Sequence, residues 1–129
     1  CAIRALPGTE KSQRIEYRVP GADANPYLVA AAAIASGLHG IENAIEPTNG
    51  IKGSAYDFTH PDHLHLPSNL SDAGARLAGS DMAREWFGDD FVDHYVASRD
   101  WEARQIPDAS DDLPEEIATT ELERYFELI

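Results

Sequence analysis

The sequence predicts an α+β fold that is mostly helical, with two short antiparallel strands followed by about five helices. Residues 14–19 alternate between charged and apolar side chains, and this two-residue period is typical of a half-buried strand. Beyond residue 70, apolar side chains recur three and four positions apart, as they do in helices. We therefore expect one unit over 1–129, made of strands at 1–20, a buried helix at 25–41, a loop at 46–69 and a helical tail at 71–129.

The two strands are predicted at 1–6 and 13–19, with the turn signal Pro7-Gly8 between them. Because successive side chains of a strand point to opposite faces, the second strand places three apolar residues on its core face: Ile15, Tyr17 and Val19. Its opposite face then carries three charged residues: Arg14, Glu16 and Arg18.

The helix at 25–41 begins with Asn25-Pro26, since asparagine caps a helix through its side chain and proline suits the first turn. Gly40 is predicted to stop the helix just after His39. Apolar residues cover nearly its whole circumference, which is typical of a buried helix. Two short strands cannot bury such a surface, so we expect its cover to come from the other helices, from a partner, or from sequence that has been removed.

Residues 46–69 contain proline, glycine, asparagine and three histidines without clear periodicity, and they predict a long loop. The tail is predicted to form four helices, whose starts carry residues suited to a helix N-terminus: Ser71, Ser80, Asp89 and Thr120. Thr120 and Glu123 have the spacing of a capping box. Gly88 is predicted to end the second of these helices, and an acidic linker at 107–114 precedes the last one.

Composition restricts the partners and the location of the chain. The net charge of −13, from 23 acidic and 10 basic residues, argues against nucleic acid, because neutralising phosphates needs a surplus of Lys and Arg. No apolar run approaches the roughly 20 residues that span a bilayer, so no membrane partner is expected. The single cysteine excludes an internal disulfide framework and favours a cytoplasmic location. The chain begins with Cys1 rather than Met, and we expect a cut or processed start.

The charged face of the second strand offers the chemistry of a phosphate or carboxylate site. The guanidinium group of arginine presents a planar fork of donors to such oxygens, and Glu16 supplies the hard oxygen that Mg²⁺ or Mn²⁺ prefers. Arg4, on the neighbouring strand, is expected to add a further positive charge. From the alternation alone, a solvated strand face whose charges pair with one another remains an open alternative.

Several segments of the chain, in order, resemble the closing motifs of the glutamine synthetase catalytic domain. They read AIR at 2–4, RIEYRVP at 14–20, NPYL at 25–28 and ASGLHGI at 35–41. The tail, with FVDHYVASR at 91–99 and RYFE at 124–127, resembles the C-terminal helices of the same family. The resemblance covers nearly the whole chain.

The resemblance implies an ATP-dependent ligase that makes γ-glutamyl phosphate from glutamate and lets ammonia or another amine displace the phosphate. It assigns Arg4 and Arg14 to catalysis and to the ATP phosphates. Arg18 is assigned to the substrate's α-carboxylate and Glu16 to a divalent metal. ATP and Mg²⁺ or Mn²⁺ are the implied cofactors of the full-length parent, with none expected on a fragment. The implied partners are these small molecules and further copies of the chain, as a homo-oligomer.

The resemblance leaves the acceptor amine open. Gly21-Ala22-Asp23 before Asn25 is closer to the glutamine synthetase-like ligases, some of which attach other amines to glutamate. The family's remaining metal carboxylates and adenine contacts come before the matching motifs, so we expect a C-terminal fragment that is inactive alone. The alternative is a non-catalytic helical oligomerisation or interaction module derived from that family.

Other residues of the predicted loop are weaker candidates. Tyr56 lies roughly where some bacterial members of the family carry an adenylylated tyrosine, but its flanking residues match poorly and favour an ordinary loop tyrosine. His60, His63 and His65 suggest a metal cluster. The two prolines of their loop, Pro61 and Pro67, and the lack of a second ligand group at zinc-finger spacing favour a solvated loop instead.

Overall fold

The computed structural model describes residues 2–105 and 119–126, which fall in two compact units, Cys1–Thr59 and His60–Ile129. They confirm the predicted α+β, mostly helical fold. Cys1 and the acidic linker predicted at 107–114 lie outside the described residues. None of the helices in the two described ranges has both the length and the apolar character that crossing a bilayer requires.

The first unit contains strand β1 at Ile3–Leu6, strand β2 at Arg14–Tyr17, helix α1 at Pro26–Glu42 and a 3₁₀ turn at Ala55–Asp57. The second unit contains a 3₁₀ turn at Asp62–Leu64 and four helices: α2 at Leu70–Ala78, α3 at Asp81–Phe87, α4 at Asp89–Ala103 and α5 at Thr119–Tyr125. Both strands are shorter than predicted, because only four residues of each take part in the ladder.

A tight turn between the strands fixes their register. The amide of Ser12 donates to the carbonyl oxygen of Thr9 at 2.8 Å, and the hydroxyl of Ser12 accepts from the amide of Thr9 at 2.9 Å. The antiparallel ladder then sets Arg4 directly opposite Glu16. Because directly opposite residues share a face of the sheet, this register brings two separately predicted charged positions together.

Helix α1 starts as predicted. The side-chain oxygen of Asn25 accepts hydrogen bonds from the amides of Tyr27 and Leu28 at 3.0 and 3.3 Å. Pro26 occupies the first helical position, where an N–H group would have no intrahelical partner, so its absence costs no hydrogen bond. Two adjacent residues therefore determine where the helix begins.

The predicted end of α1 at Gly40 is wrong, because the helix continues to Glu42. Asn43 closes it: its amide and its side-chain nitrogen both donate to the carbonyl oxygen of His39, at 3.0 and 2.9 Å. A glycine costs only about 1 kcal/mol inside a helix. The capping residue three positions later therefore decides where the helix stops.

Few of the described residues cover the apolar surface of α1. Within the helix only Ala35 is buried, whereas Tyr27 and Ile41 are 84% and 77% exposed. The apolar face of the hairpin is open as well, with Ile15 at 70%. The described residues therefore do not supply the cover expected for 25–41, because two four-residue strands bury too little surface.

Asn69 caps α2, and the predicted cap at Ser71 is wrong. The side-chain oxygen of Asn69 accepts from the amide of Asp72 at 2.8 Å, and its side-chain nitrogen donates to the Asp72 carboxylate at 3.0 Å. Ser71 lies inside the helix. Serine and asparagine are both strong capping residues, so residue type alone could not decide between the two positions.

The predicted cap at Ser80 is confirmed, since its hydroxyl accepts from the amide of Ala83 at 3.1 Å. Gly88 ends α3 as predicted and also directly precedes α4. Its φ is +82°, a left-handed value that glycine adopts without the steric penalty of a Cβ atom. One residue therefore turns the chain from one helix into the next.

Helix α4 is central to the second unit and packs against α2 and α3. Its Val92 is completely buried. Arg84 of α3 links the three helices, because its Nε donates to the carbonyl oxygen of Ala78 at 2.9 Å. Its two terminal nitrogens bind Asp89 and Asp93 at 2.8 and 2.9 Å.

Helix α5 is joined to α4 through Glu102. Nε and Nη2 of Arg124 donate to the two Glu102 oxygens at 2.5 and 2.8 Å, and the hydroxyl of Tyr125 donates to Oε1. The Arg124 guanidinium also lies 5.1 Å from the centre of the Trp101 ring, a cation–π distance. Thr120, predicted as the N-cap, lies within α5 instead, because the helix already includes the residue before it.

Candidate functional site

Four charged side chains share one face of the β1–β2 hairpin: Arg4, Arg14, Glu16 and Arg18. Arg14 and Arg18 flank Glu16 at two-residue spacing, and such neighbours on a strand lie about 6.5–7 Å apart. Arg18 follows directly after β2, and its amide donates to the carbonyl oxygen of Ala2 at 2.8 Å, so strand pairing extends to it. We call this group the arginine face.

Glu16 lies at the centre of the arginine face. One of its carboxylate oxygens, Oε2, accepts from Nη2 and Nε of Arg18 at 2.7 and 3.3 Å. The same oxygen lies 3.5 Å from Nη1 of Arg4. Oε1 makes no polar contact with any residue in the ranges 2–105 and 119–126. Charge pairing on this face was the alternative that the alternation left open, and the alternation could not show that a single oxygen serves both arginines.

Arg14 differs from the other two arginines. It stands opposite Leu6 in the ladder, and its side chain forms no ion pair or hydrogen bond within the described part of the chain. Its positive charge still acts on Glu16 through space. Arg14 is therefore the arginine of this face whose guanidinium donors no described residue occupies, and they are available to an external anion.

The electrostatics of the face keep Glu16 ionised. The hydrogen bond from Arg18 lowers the pKa of Glu16, partial burial opposes this, and the charges of Arg4, Arg18 and Arg14 lower the pKa further. The side chains of Arg4 and Arg18 are 52% and 45% exposed, so solvent screens both ion pairs and each contributes little to stability. Three arginines and one glutamate leave the face positive and accessible.

Glu16 is the one carboxylate of the arginine face, and a divalent cation needs further ligands. Mg²⁺ takes an octahedral shell of oxygens, commonly one or two carboxylates with waters and substrate phosphates. No three His, Cys, Asp or Glu side chains converge on one point within the described ranges. Oε1 of Glu16 is suited to be one ligand of such an ion, and the described residues do not provide the other ligands.

A shallow apolar groove lies where the end of β2 meets α1, with a volume of about 450 Å³. Its lining includes Tyr17, Pro20 and three residues of α1: Val29, Ala30 and Ala33. Tyr17 alternates with Glu16 along β2, so the groove is on the opposite face of the strand. None of its lining residues is charged, and it therefore offers no partner for a phosphate or carboxylate group.

The weaker candidates lie in the 3₁₀ turns and beside them. Tyr56 is fully exposed, and its amide donates to the Ser54 hydroxyl at 3.3 Å. Nε2 of His65 lies 3.2 Å from the carbonyl oxygen of His60, and the two rings meet edge to face at 6.5 Å. These contacts are local, and none of them includes an acidic or cysteine side chain that could join the histidines in binding a metal ion.

Comparison with known proteins gives consistent matches. Residues 1–125 match the family model described as glutamine synthetase, catalytic domain. The chain is 39% identical over 126 residues to a glutamate–isopropylamine ligase of Pseudomonas sp., covering 98% of this chain and 26% of that protein. It is 38% identical over 130 residues to type-1 glutamine synthetase 2 of Dictyostelium discoideum, covering 99% and 23%.

A third relative is a gamma-glutamylethanolamide synthetase of Streptomyces coelicolor, 38% identical over 117 residues, with 81% of this chain and 24% of that protein covered. The share of each relative that the alignment covers is similar in all three cases. The chain therefore spans about a quarter of the length of the curated relatives it matches.

Proposed function

The chain belongs to the family of glutamine synthetase catalytic domains, and we propose that it forms part of an ATP-dependent ligase joining an amine to the γ-carboxyl group of glutamate. In this reaction ATP phosphorylates the γ-carboxylate, and the amine then displaces the phosphate from γ-glutamyl phosphate. The observation that carries the proposal is the arginine face. A reaction between two anions needs fixed positive charge, and this face supplies it.

Arg4 and Arg14 are proposed to contact the ATP phosphates and the group in transfer. Phosphoryl transfer depends on positioning and on neutralising charge, and the protein does little covalent chemistry itself. Arg14 is suited to contact the ATP phosphates because its guanidinium has no partner in the described part of the chain. Arg18 is proposed to orient the α-carboxylate of glutamate through paired N–H donors.

ATP and Mg²⁺ or Mn²⁺ are the proposed cofactors of the whole enzyme. Glu16 would offer its Oε1 to the divalent ion, which neutralises phosphate charge when bound. The 129 residues alone are proposed not to turn over, since they correspond to about a quarter of the relatives' length. Glutamate, ATP and the amine are the proposed ligands, and further copies of the chain are the proposed protein partners.

The acceptor is proposed to be ammonia or a small organic amine. Among the three relatives, one is named for isopropylamine, one for an ethanolamide product and one for glutamine. All three names fit an amine that attacks the same activated carboxyl group. The amine is therefore the variable part of the proposal, and glutamate and ATP are the constant part.

A coupled assay of ADP release by the whole enzyme tests this function, with glutamate, Mg²⁺ and a panel of ammonia, isopropylamine and ethanolamine. ADP release is expected to require both glutamate and one of these amines. Arg18→Lys should raise KM for glutamate about tenfold and change KM for ATP much less, because an ammonium group cannot pair with a carboxylate through two coplanar donors. Lys11→Gln, in the hairpin turn, is the control. ADP release that does not depend on glutamate would contradict the proposal.

The second candidate is a non-catalytic helical module that associates through α1. The exposure of Ile34 and Ile41, at 61% and 77%, favours it, because contiguous apolar surface marks an interaction site. Sedimentation of the chain at several concentrations separates the two. If the chain is a non-catalytic module, it is expected to form one defined oligomer, and the double variant Ile34→Glu, Ile41→Glu is expected to dissociate that oligomer. Variants of Arg14 or Arg18 are then expected to have no effect on any ATP-dependent reaction of the whole protein.

A further inference from the structure

Glu16 occupies one edge of the Arg18 guanidinium group and leaves another edge open. Nε and Nη2 form the lateral edge of the planar group, and both donate to Oε2 of Glu16 at 3.3 and 2.7 Å. Nη1 and the second proton of Nη2 lie on the end edge. Nη1 contacts no polar group among the described residues. Since the five N–H donors are fixed in one plane, occupying the lateral edge determines which donors remain.

We propose that Glu16 is a positioning residue for Arg18: it holds the lateral edge of the guanidinium group, so that a substrate carboxylate is received at the end edge. The inference rests on the proposed function for the identity of that carboxylate, the α-carboxylate of an amino acid. It requires no metal ion. This role is also separate from the proposed metal ligation by Glu16, because Oε2 contacts Arg18, whereas no described residue contacts Oε1.

Arg4 restrains Glu16 from the neighbouring strand. It stands directly opposite Glu16 in the ladder, and its Nη1 lies 3.5 Å from the same Oε2. A lone glutamate on a strand face samples several rotamers, and ordering it costs conformational entropy. A carboxylate held by guanidinium groups of both strands has fewer rotamers available. Pairing of the two strands therefore restrains the Arg18 guanidinium indirectly: Arg4 limits the rotamers of Glu16, and Glu16 limits those of Arg18.

Positioning and simple charge predict opposite effects for Glu16→Gln. The substitution keeps the shape of the side chain and removes one negative charge from a face with three arginines, so charge alone predicts tighter binding of any anion. If Glu16 positions Arg18, the same substitution weakens binding of a carboxylate that needs two aligned donors, because a neutral amide oxygen holds the guanidinium less firmly. The sign of the change for glutamate separates the two explanations.

Inorganic phosphate provides a second probe with a different expectation. The open guanidinium of Arg14 is its proposed contact, and Glu16 does not restrain that group. Glu16→Gln is therefore expected to leave phosphate binding unchanged or to strengthen it. Opposite effects on glutamate and phosphate would not arise from a general loss of structure, which weakens both.

The experiment follows the arginine Nε–H signals of the 129-residue chain by NMR and measures the dissociation constants of the whole enzyme for glutamate and for phosphate. In the unsubstituted chain the Arg18 signal is expected to be resolved from that of Arg14. In Glu16→Gln it should move to the averaged position of an unrestrained arginine, and the dissociation constant for glutamate should rise about fivefold. Lys11→Gln removes one charge from the turn and is expected to change both constants less than about twofold.

Glu16→Asp is the second variant, because it keeps the charge but withdraws the carboxylate by one methylene group. It is expected to behave like Glu16→Gln if position matters. An Arg18 signal that is the same in all three proteins would overturn the inference, and so would tighter glutamate binding by Glu16→Gln. No binding of glutamate by the unsubstituted whole enzyme would overturn the assignment of the end edge to a carboxylate. The ADP assay of the whole enzyme tests the ligase proposal independently, so the two failures are distinguishable.

Discussion

Arg124 binds both carboxylate oxygens of Glu102, from a position 22 residues later in the chain. The pair joins helix α5 to helix α4, with the hydroxyl of Tyr125 as a third donor to the same carboxylate. Two parallel N–H donors on one carboxylate fix orientation as well as distance. This cluster is therefore a principal attachment of α5 in the described part of the chain.

The first prediction concerns the pH dependence of that attachment. The hydrogen bond from Arg124, followed by that from Tyr125, lowers the pKa of Glu102 from 4.5 to about 2. Because the folded-state pKa lies below the unfolded one, the carboxylate stabilises the fold fully above about pH 4.5 and loses this contribution as the pH falls through about 2. We expect the difference in urea midpoint between the unsubstituted chain and Glu102→Gln to be constant near neutral pH and to disappear toward pH 2, as measured by tryptophan fluorescence.

Glu123→Gln is the matched control for this prediction. It removes the same charge from α5 itself, at an exposed side chain that forms no ion pair within the described ranges. Its effect on the midpoint should be small and nearly independent of pH. A pH profile of Glu123→Gln that matches the profile of Glu102→Gln would mean that net charge, rather than the bidentate contact, governs the acid response.

The second prediction tests which residue caps α2. Asn69→Ala should lower the free energy of unfolding by about 1 kcal/mol, because the amide of Asp72 loses its acceptor. Ser71→Ala should be neutral or slightly stabilising, since Ser71 lies inside the helix and alanine has the higher helix propensity. Urea unfolding of the two variants decides between them, and a larger loss for Ser71→Ala would refute the cap at Asn69.

The third prediction concerns the packing of α4. Val92 is fully buried, so Val92→Ala should lower the free energy of unfolding by about 2 kcal/mol through lost apolar contact and the cavity that remains. Val96→Ala, on the same helix at a partly exposed position, should cost less. Calorimetric unfolding of the two variants gives the comparison. Equal losses would show that α4 does not pack through the Val92 side chain.

The fourth prediction concerns Arg84, whose three nitrogens reach three different acceptors. An ammonium group cannot reproduce this geometry, because it lacks a planar array of donors. Arg84→Lys should therefore lower the melting temperature clearly although the charge is kept. Arg104→Lys, at an exposed arginine that forms no ion pair in the described ranges, should leave it unchanged. If both variants melt like the unsubstituted chain, the Arg84 contacts do not contribute to stability.

The sequence predicted the arginine face because the two-residue period of a strand follows from backbone geometry alone. It did not predict the opposition of Arg4 to Glu16, since register depends on the hydrogen bonds of the turn between Thr9 and Ser12. Nor did it predict the shared use of one Glu16 oxygen. That detail is set by side-chain rotamers, which a pattern of residue types does not encode.

The helix boundaries show the same division. Gly88 was predictable because a glycine between two helical patterns has few competitors as a helix end. Local preference favoured Gly40 over Asn43 as the end of α1, and Asn43 closes the helix nonetheless. Asn69 and Ser71 have similar N-cap preferences, so residue type did not rank them. No local pattern predicts the contact of Arg124 with Glu102, because the two residues are 22 positions apart and belong to different helices.

The openness of α1 has a consequence for the choice of solvent. Sulfate and phosphate are excluded from protein surfaces and drive exposed apolar groups together, so concentrated kosmotropic salt should precipitate or aggregate this chain through its 17-residue helix. Dilute monovalent buffer avoids this and also lengthens the range over which guanidinium groups attract anions. The conditions that prevent association through α1 are thus those in which the arginine face attracts anions most strongly.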